Sequence, residues 1–141
     1  MQGGGFSQEE KSLILKKRLQ NNIIQKNVSD AELAYLYNNA LCFVYPSLYE
    51  GFGLPILEAF DNGCPVICAK DSSLPEVGGN AVLYFDSYDS EGLYKQIKSL
   101  LISETLRKKI IDCGATRGKL FSWDKCAKET YEVYKSICQH E

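Results

Sequence analysis

The run Leu41-Cys42-Phe43-Val44-Tyr45 is apolar without a break. It is followed by Pro46-Ser47-Leu48-Tyr49-Glu50-Gly51-Phe52-Gly53 and then by Leu54-Pro55-Ile56-Leu57-Glu58. An unbroken apolar run of strand length predicts a strand covered on both faces, as in a parallel sheet. Pro55 falls in the first turn of the helix that follows, where its missing N–H costs nothing. This strand, glycine turn and helix are the repeating grammar of an α/β fold.

The rest of the chain fits that grammar. Pro65 to Ala69 and Ala81 to Phe85 read as further strands, and Lys70 to Asn80 as a loop rich in Ser, Gly, Pro and Asp. The helix after the glycine turn stops near Asn62-Gly63. Upstream, Ser7 to Arg18 reads as a helix with a capping box from Ser7 and Glu10. Ile23-Ile24-Gln25 is a short strand candidate. Ser29 and Glu32 open another capped helix, with Leu33, Leu36 and Tyr37 as its apolar face. From Asp89 the pattern is helical, through Leu93, Ile97 and Leu100-Leu101, then Leu106, Ile110 and Ile111, then Trp123 to Ile137 behind a Ser122 cap. The expected fold is a Rossmann-like parallel sheet flanked by helices, with residues 1–141 forming part of one domain. Gly3-Gly4-Gly5 has no strand before it, whereas such a cluster in a doubly wound fold follows one. The expectation is that the natural domain begins earlier.

Composition narrows the function. A net charge of −2 over 141 residues argues against nucleic acid, whose binders carry a basic excess or stripe. No apolar run approaches the roughly 20 residues of a membrane-spanning helix. The N-terminal residues lack the charged-then-apolar order of a signal peptide, so the cytosol is the expected compartment. The six cysteines form no CxxC pair, and His140 is the sole histidine. They read as free thiols in a reducing compartment rather than as disulfides or zinc ligands.

The central segment carries the chemistry. Gly51 and Gly53 permit positive φ and present no Cβ to a ligand. The helix starting near Leu54 offers unpaired N–H groups and a positive dipole end, an anion site that fits a pyrophosphate. It lies at the carboxyl end of a strand, where ligands bind in open α/β sheets. Glu50 and Glu58 are acceptors suited to sugar hydroxyls, with Glu58 set back one turn, where a ribose would lie. On spacing alone a second reading stands beside this one: glutamates near a helix start also serve the dipole.

Glu50 to Glu58, with Tyr45-Pro46-Ser47 before and Gly63-Cys64-Pro65-Val66-Ile67 after, resembles the signature of the retaining glycosyltransferase family 4, also called glycosyl transferases group 1. Asn27 to Leu33, Leu74-Pro75-Glu76-Val77, Leu106-Arg107 and Phe121-Ser122-Trp123 resemble further blocks of that family, in its order. The resemblance implies a partial C-terminal, donor-binding domain of a GT-B glycosyltransferase. It implies that Glu50 contacts the donor sugar as a catalytic residue. Gly51, Phe52, Gly53 and Leu54 would meet the sugar and its diphosphate, Glu58 would hold the ribose, and Val28, ending its strand, would lie near the nucleobase. Ser29 would be a helix cap, Asp61 would face solvent, and Glu76 would either brace its loop or touch ligand. The family's upstream Arg and Lys, which neutralise the diphosphate, and its acceptor domain are not in this sequence.

The resulting expectation is a fragment of a retaining hexosyltransferase that works without a metal or other cofactor. The parent would move a hexose from a nucleotide diphosphate sugar to a sugar or lipid-linked acceptor held by the other domain, in the cytoplasm or at a membrane reached through that other half. The alternatives are a non-catalytic nucleotide-sugar-binding module and a GT-B sugar-nucleotide epimerase. Two further expectations follow, the first from the missing acceptor domain, Arg and Lys, and the second from the missing strand–helix–strand unit. The chain alone is inactive, and the unpaired edge of the Leu41–Tyr45 strand drives self-association or is filled by Ile23-Ile24.

Overall fold

The structure, a computed structural model, describes residues 5–138. Gly3, Gly4 and His140, invoked above, lie outside that range. The chain divides into two compact units, residues 1–33 and 34–141.

The first unit holds helix α1 (Gln8–Lys16) and the start of α2 (Asp30–Asn39). The Ser7 hydroxyl accepts from the Glu10 amide at 3.1 Å, and the Glu10 carboxylate accepts from the Ser7 amide at 2.7 Å. The expected capping box is therefore complete. Ser29 and Glu32 form the second one, with the Glu32 carboxylate accepting from the Ser29 amide at 2.9 Å. α1 buries no residue. The Ile23–Gln25 segment is not a strand. Ile24 is 82% exposed, and no ladder partner reaches the segment among the described residues, so its backbone lacks the pairing that defines a strand.

The second unit contains the sheet. Strands β1 (Phe43–Tyr45), β2 (Val66–Ala69) and β3 (Leu83–Phe85) are parallel and lie in the order β1-β2-β3. Phe43 faces Val66 across the first ladder, and Ile67 faces Leu83 across the second. β2 is buried at every position, as its unbroken apolar sequence requires. β1 departs from expectation: Phe43, Val44 and Tyr45 are only half-buried. Among the described residues β1 is hydrogen-bonded to a neighbour on one side alone, and an edge strand keeps part of its surface open.

Helix α3 (Leu54–Asp61) follows the glycine turn, with Pro55 in its first turn. Its inner face of Ile56, Ala59 and Phe60 enters the core. The loop expected between Lys70 and Asn80 contains a short helix, α4 (Leu74–Gly78). Pro75 opens its first turn, and Leu74 and Val77 are buried beneath it. This apolar pair was masked in the sequence by the turn-forming residues around it. Helices α5 (Ser90–Ile102), α6 (Glu104–Gly118) and α7 (Trp123–Cys138) complete the unit. Asp89, Ser103 and Ser122 cap them by accepting from amides three residues on. Of the expected α2 face, Tyr37 is buried but Leu36 is 48% exposed. α7 buries none of its residues. No helix among the described residues is long and apolar enough to cross a membrane.

Candidate functional site

The β1–α3 junction is built to leave backbone amides unused. Gly53 is the N-cap of α3 at φ 113°, ψ 40°, and no side chain caps the helix. Pro55 has no N–H and the Ile56 amide donates to the Gly53 carbonyl at 3.0 Å, so the Leu54 amide is the helix N–H left for a ligand at the positive end of the dipole. The two glycines of the turn differ in role. A Cβ on Gly53 would meet Leu74 Cδ2 at 3.1 Å and Ile56 Cδ1 at 3.6 Å, so Gly53 faces the core. A Cβ on Gly51 would meet nothing within 4 Å. The expectation that Gly53 clears space for a ligand is thus corrected. Gly53 is needed for its backbone angle and its packing, and it is Gly51 that faces open space.

The turn is clamped from the next strand's loop. The Ser73 hydroxyl donates to the carbonyls of Glu50 at 3.0 Å and Phe52 at 2.8 Å. The Ser72 hydroxyl donates to the Glu50 carbonyl at 2.8 Å. Ser72 itself sits at φ 53°, a strained angle for a residue with a Cβ. Arg117 of α6 donates through Nε to the Val77 carbonyl at 3.1 Å and through Nη2 to that of Glu76. Its guanidinium lies 5.4 Å from the Phe121 ring, which meets Phe52 edge-on at 5.9 Å. Glu76 braces its loop through its backbone, and its side chain is exposed.

Glu58 projects from the first full turn of α3 and is exposed. With Phe52, Leu54 and Asp61 it lines a groove of about 750 Å³ whose opposite wall includes Phe121 and Trp123. Asp61 is exposed, as expected. Glu50, Gly51 and Gly53 lie outside that lining. Glu50 is held instead through its backbone, by Ser72 and Ser73. The neighbouring Tyr45 phenol, and after it the Ser47 hydroxyl, lower its pKa below the usual range, while the Ser47 hydroxyl donates to the Tyr49 carbonyl at 3.3 Å. Glu50 is therefore an ionised acceptor near neutrality and not a proton donor. Val28 belongs to the first unit, half-buried ahead of α2, and follows a segment that is not the strand expected there.

Sequence reasoning missed Ser72 and Ser73. The serines had one signal: they follow β2 at its carboxyl end, level with the turn that follows β1. Burial raises the Cys64 thiol to about 11 and the Cys68 thiol to about 12, so both stay protonated and unreactive near neutrality. Among the described residues no cluster of His, Cys, Asp and Glu is arranged to hold a metal ion.

Comparison with known proteins agrees with this architecture. The O-antigen chain mannosyltransferase B of Escherichia coli is 45% identical over 110 residues, covering 78% of this chain and 29% of its own. The MMP alpha-(1->4)-mannosyltransferase of Mycolicibacterium hassiacum is 36% identical over 112 residues, covering 77% and 27%. The chain thus spans less than a third of the length of these relatives. Among solved structures, sucrose-phosphate synthase from Thermosynechococcus elongatus superposes with a TM-score of 0.82 at 24% identity, over 93% of this chain and 34% of that one. The C-terminal domain of a glycosyl transferase group 1 family protein from Francisella tularensis gives 0.68 at 26% identity, over 79% and 60%. The parallel sheet flanked by helices is the GT-B C-terminal architecture. With residues 2–117 matching the model of the glycosyl transferases group 1, the chain belongs to that family.

Proposed function

We propose that this chain forms the donor-holding part of a retaining hexosyltransferase, working with an acceptor-binding part that the longer relatives also have room for. The donor is a nucleotide diphosphate sugar, and the mannosyltransferases among the relatives make mannose the first sugar to test. The observation that carries the reading is the uncapped α3 N-terminus with one glutamate on each side of it. The amides of Phe52, Gly53 and Leu54 face the diphosphate, with the open side of Gly51 admitting it. As the glycosidic bond to the donor breaks, negative charge grows on the diphosphate, and a fixed dipole stabilises that charge without reorganising. Glu58 accepts from the ribose hydroxyls and Glu50 from hydroxyls of the transferred sugar. No metal is required in this scheme, because the amides and basic groups from outside this sequence meet the charge.

Steady-state kinetics of the full-length polypeptide with a panel of nucleotide hexoses tests this. Glu58→Gln should mainly raise the donor KM, because a ribose contact is made equally in ground and transition states. Glu50→Gln should lower kcat more, because its contacts adjoin the reacting carbon. Equal, small effects of both substitutions would reduce these glutamates to partners of the helix dipole.

A further inference from the structure

One guanidinium closes a ring of contacts around the glycine turn. Arg117 of α6 is half-buried. Its Nε donates to the Val77 carbonyl at 3.1 Å and its Nη2 to that of Glu76. Both carbonyls belong to the end of α4, and the last carbonyls of a helix lack partners within it. From there α4 runs back to Ser73, whose hydroxyl donates to the carbonyls of Glu50 and Phe52. On its other side the guanidinium lies 5.4 Å from the centre of the Phe121 ring, and Phe121 meets the Phe52 ring edge-on at 5.9 Å. Both arms therefore reach Phe52, one at its carbonyl and one at its ring. Phe52 stands between Gly51 and Gly53, the residue type with the most backbone freedom to lose. We propose that Arg117 is a positioning residue for the donor: acting through Ser73 and Phe121, it fixes the Phe52 peptide planes that present the amides of the turn to the diphosphate. The inference rests on the donor-binding reading of that turn.

The position calls for arginine in particular. A planar fork serves two carbonyls while its face stacks on an aromatic ring, and a lysine ammonium does neither. A cation is also favoured at the carboxyl end of a helix. Gly79, the residue that ends α4, leaves the room for it. A Cβ on Gly79 would meet Arg117 Cζ and Nε at 3.1 Å each, so the guanidinium packs directly against the glycine backbone. Tyr84 of β3 donates to the Gly79 carbonyl at 2.8 Å and ties the same end of α4 to the sheet. The far end of the clamp is thus anchored, and the near end is Phe52, which is 44% exposed and lines the groove beside Phe121 and Glu58. A turn flanked by two glycines has many conformations to lose on binding. Setting it in advance lowers that ordering cost, so the bracing is expressed as donor affinity.

The experiment measures affinity for GDP-mannose and UDP-glucose by calorimetry in the full-length polypeptide, each variant also being melted. The variants are Arg117→Gln, Arg117→Lys, Phe121→Leu, Ser73→Ala and Glu58→Gln, together with Ser73→Ala plus Phe121→Leu, with and without Arg117→Gln. Arg117→Gln should weaken the better donor about tenfold, and Ser73→Ala and Phe121→Leu about threefold each. Arg117→Lys should not restore wild-type affinity, because the charge alone supplies neither the fork nor the stack. Where both arms are already cut by Ser73→Ala plus Phe121→Leu, adding Arg117→Gln should change affinity less than about twofold while still lowering the melting temperature. The inference is overturned if Glu58→Gln is impaired while Arg117→Gln or Phe121→Leu binds like wild type. It is overturned equally if Arg117→Lys restores affinity in full, or if the loss from Arg117→Gln persists undiminished once both arms are cut, as general destabilisation or a direct charge effect would have it. A Glu58→Gln variant that binds both nucleotide sugars like wild type would overturn the donor-site reading, and the inference with it.

Discussion

The two strand-to-helix junctions of the sheet are alike in plan and opposite in use. Each leaves the carboxyl end of a strand and enters a helix with proline in its first turn: Tyr45 to α3 with Pro55, and Ala69 to α4 with Pro75. Each N-cap residue fails to cap its own helix. At α3 the cap is Gly53, which has no side chain to offer. At α4 it is Ser73, whose hydroxyl is turned away to the carbonyls of Glu50 and Phe52. The first junction is thus left open and the second is committed to holding it open. A lost cap costs about 1 kcal/mol in general and a few tenths when the cap residue is glycine, as at α3. Accepting it at both helices is intelligible when the first end is kept for an anion and the second is used to shape the first.

The largest way to break this comparison is Gly53→Ala. The positive φ strains any L side chain by about 1–2 kcal/mol, and the methyl would press on Leu74 Cδ2 at 3.1 Å. Thermal unfolding should show a loss of about 2 kcal/mol or more. An unchanged melting temperature would mean that the turn relaxes freely and that its geometry is not imposed by the core. Next is Ser73→Ala, which removes the donor from two carbonyls. A loss of about 1 kcal/mol is expected, with faster amide exchange across Glu50 to Gly53 and little change in α4. Slower exchange in the turn, or faster exchange confined to α4, would reverse the assigned roles. Gly51→Ala sharpens the contrast between the glycines. Its stability should stay within about 0.5 kcal/mol of wild type, because nothing lies within 4 Å of the added carbon, while affinity for a nucleotide sugar falls. Equal stability losses at Gly51 and Gly53 would erase the distinction.

The smallest effect is on pH dependence. Tyr84 donates to the Gly79 carbonyl at 2.8 Å, and burial raises its phenol to about 12, as it does that of Tyr37. A raised folded pKa contributes stability that is fully present below the unfolded value of about 10 and lost as pH rises towards the folded one. Glu50 has the opposite sign: its lowered pKa contributes above the unfolded value and is lost in acid. The melting temperature should therefore be level from pH 6 to about 8, begin to fall as pH passes the unfolded value of about 8.5 of the buried Cys64 and Cys68 thiols, and fall further above about 10 with the phenols. Tyr84→Phe should remove its share of the fall above about pH 10 and leave the part below that unchanged, and an equally steep fall in that upper range in the variant would assign it to the other buried groups.

The same comparison shows what was legible in the sequence. β2 could be read because burial on both faces leaves an unbroken apolar run. β1 has the same kind of sequence but lies at an edge among the described residues, and a neighbour's absence leaves no trace in the strand's own composition. The capping boxes of α1 and α2 were legible because they are local, three residues from donor to acceptor. Ile23-Ile24 misled because β-branched residues describe a preference that only a pairing partner realises. In the site, Glu50, Glu58 and the glycine turn were visible because their spacing is local. Ser72 and Ser73 reach the turn from elsewhere in the chain, and such contacts appear only once the sheet has set strands side by side. Gly53 was seen for its backbone freedom, but the direction of its missing Cβ depended on Leu74, twenty-one residues away.

The most direct test of the central claim is backbone amide NMR of the 15N-labelled chain titrated with GDP-mannose and UDP-glucose up to millimolar concentration. If the uncapped α3 N-terminus receives the diphosphate, the amides of Gly51, Phe52, Gly53 and Leu54 shift together and saturably with at least one donor, and the Glu58→Gln chain gives the same pattern at higher concentration. Saturable shifts that leave those four amides in place, or no shift at millimolar donor in a folded chain, would contradict it.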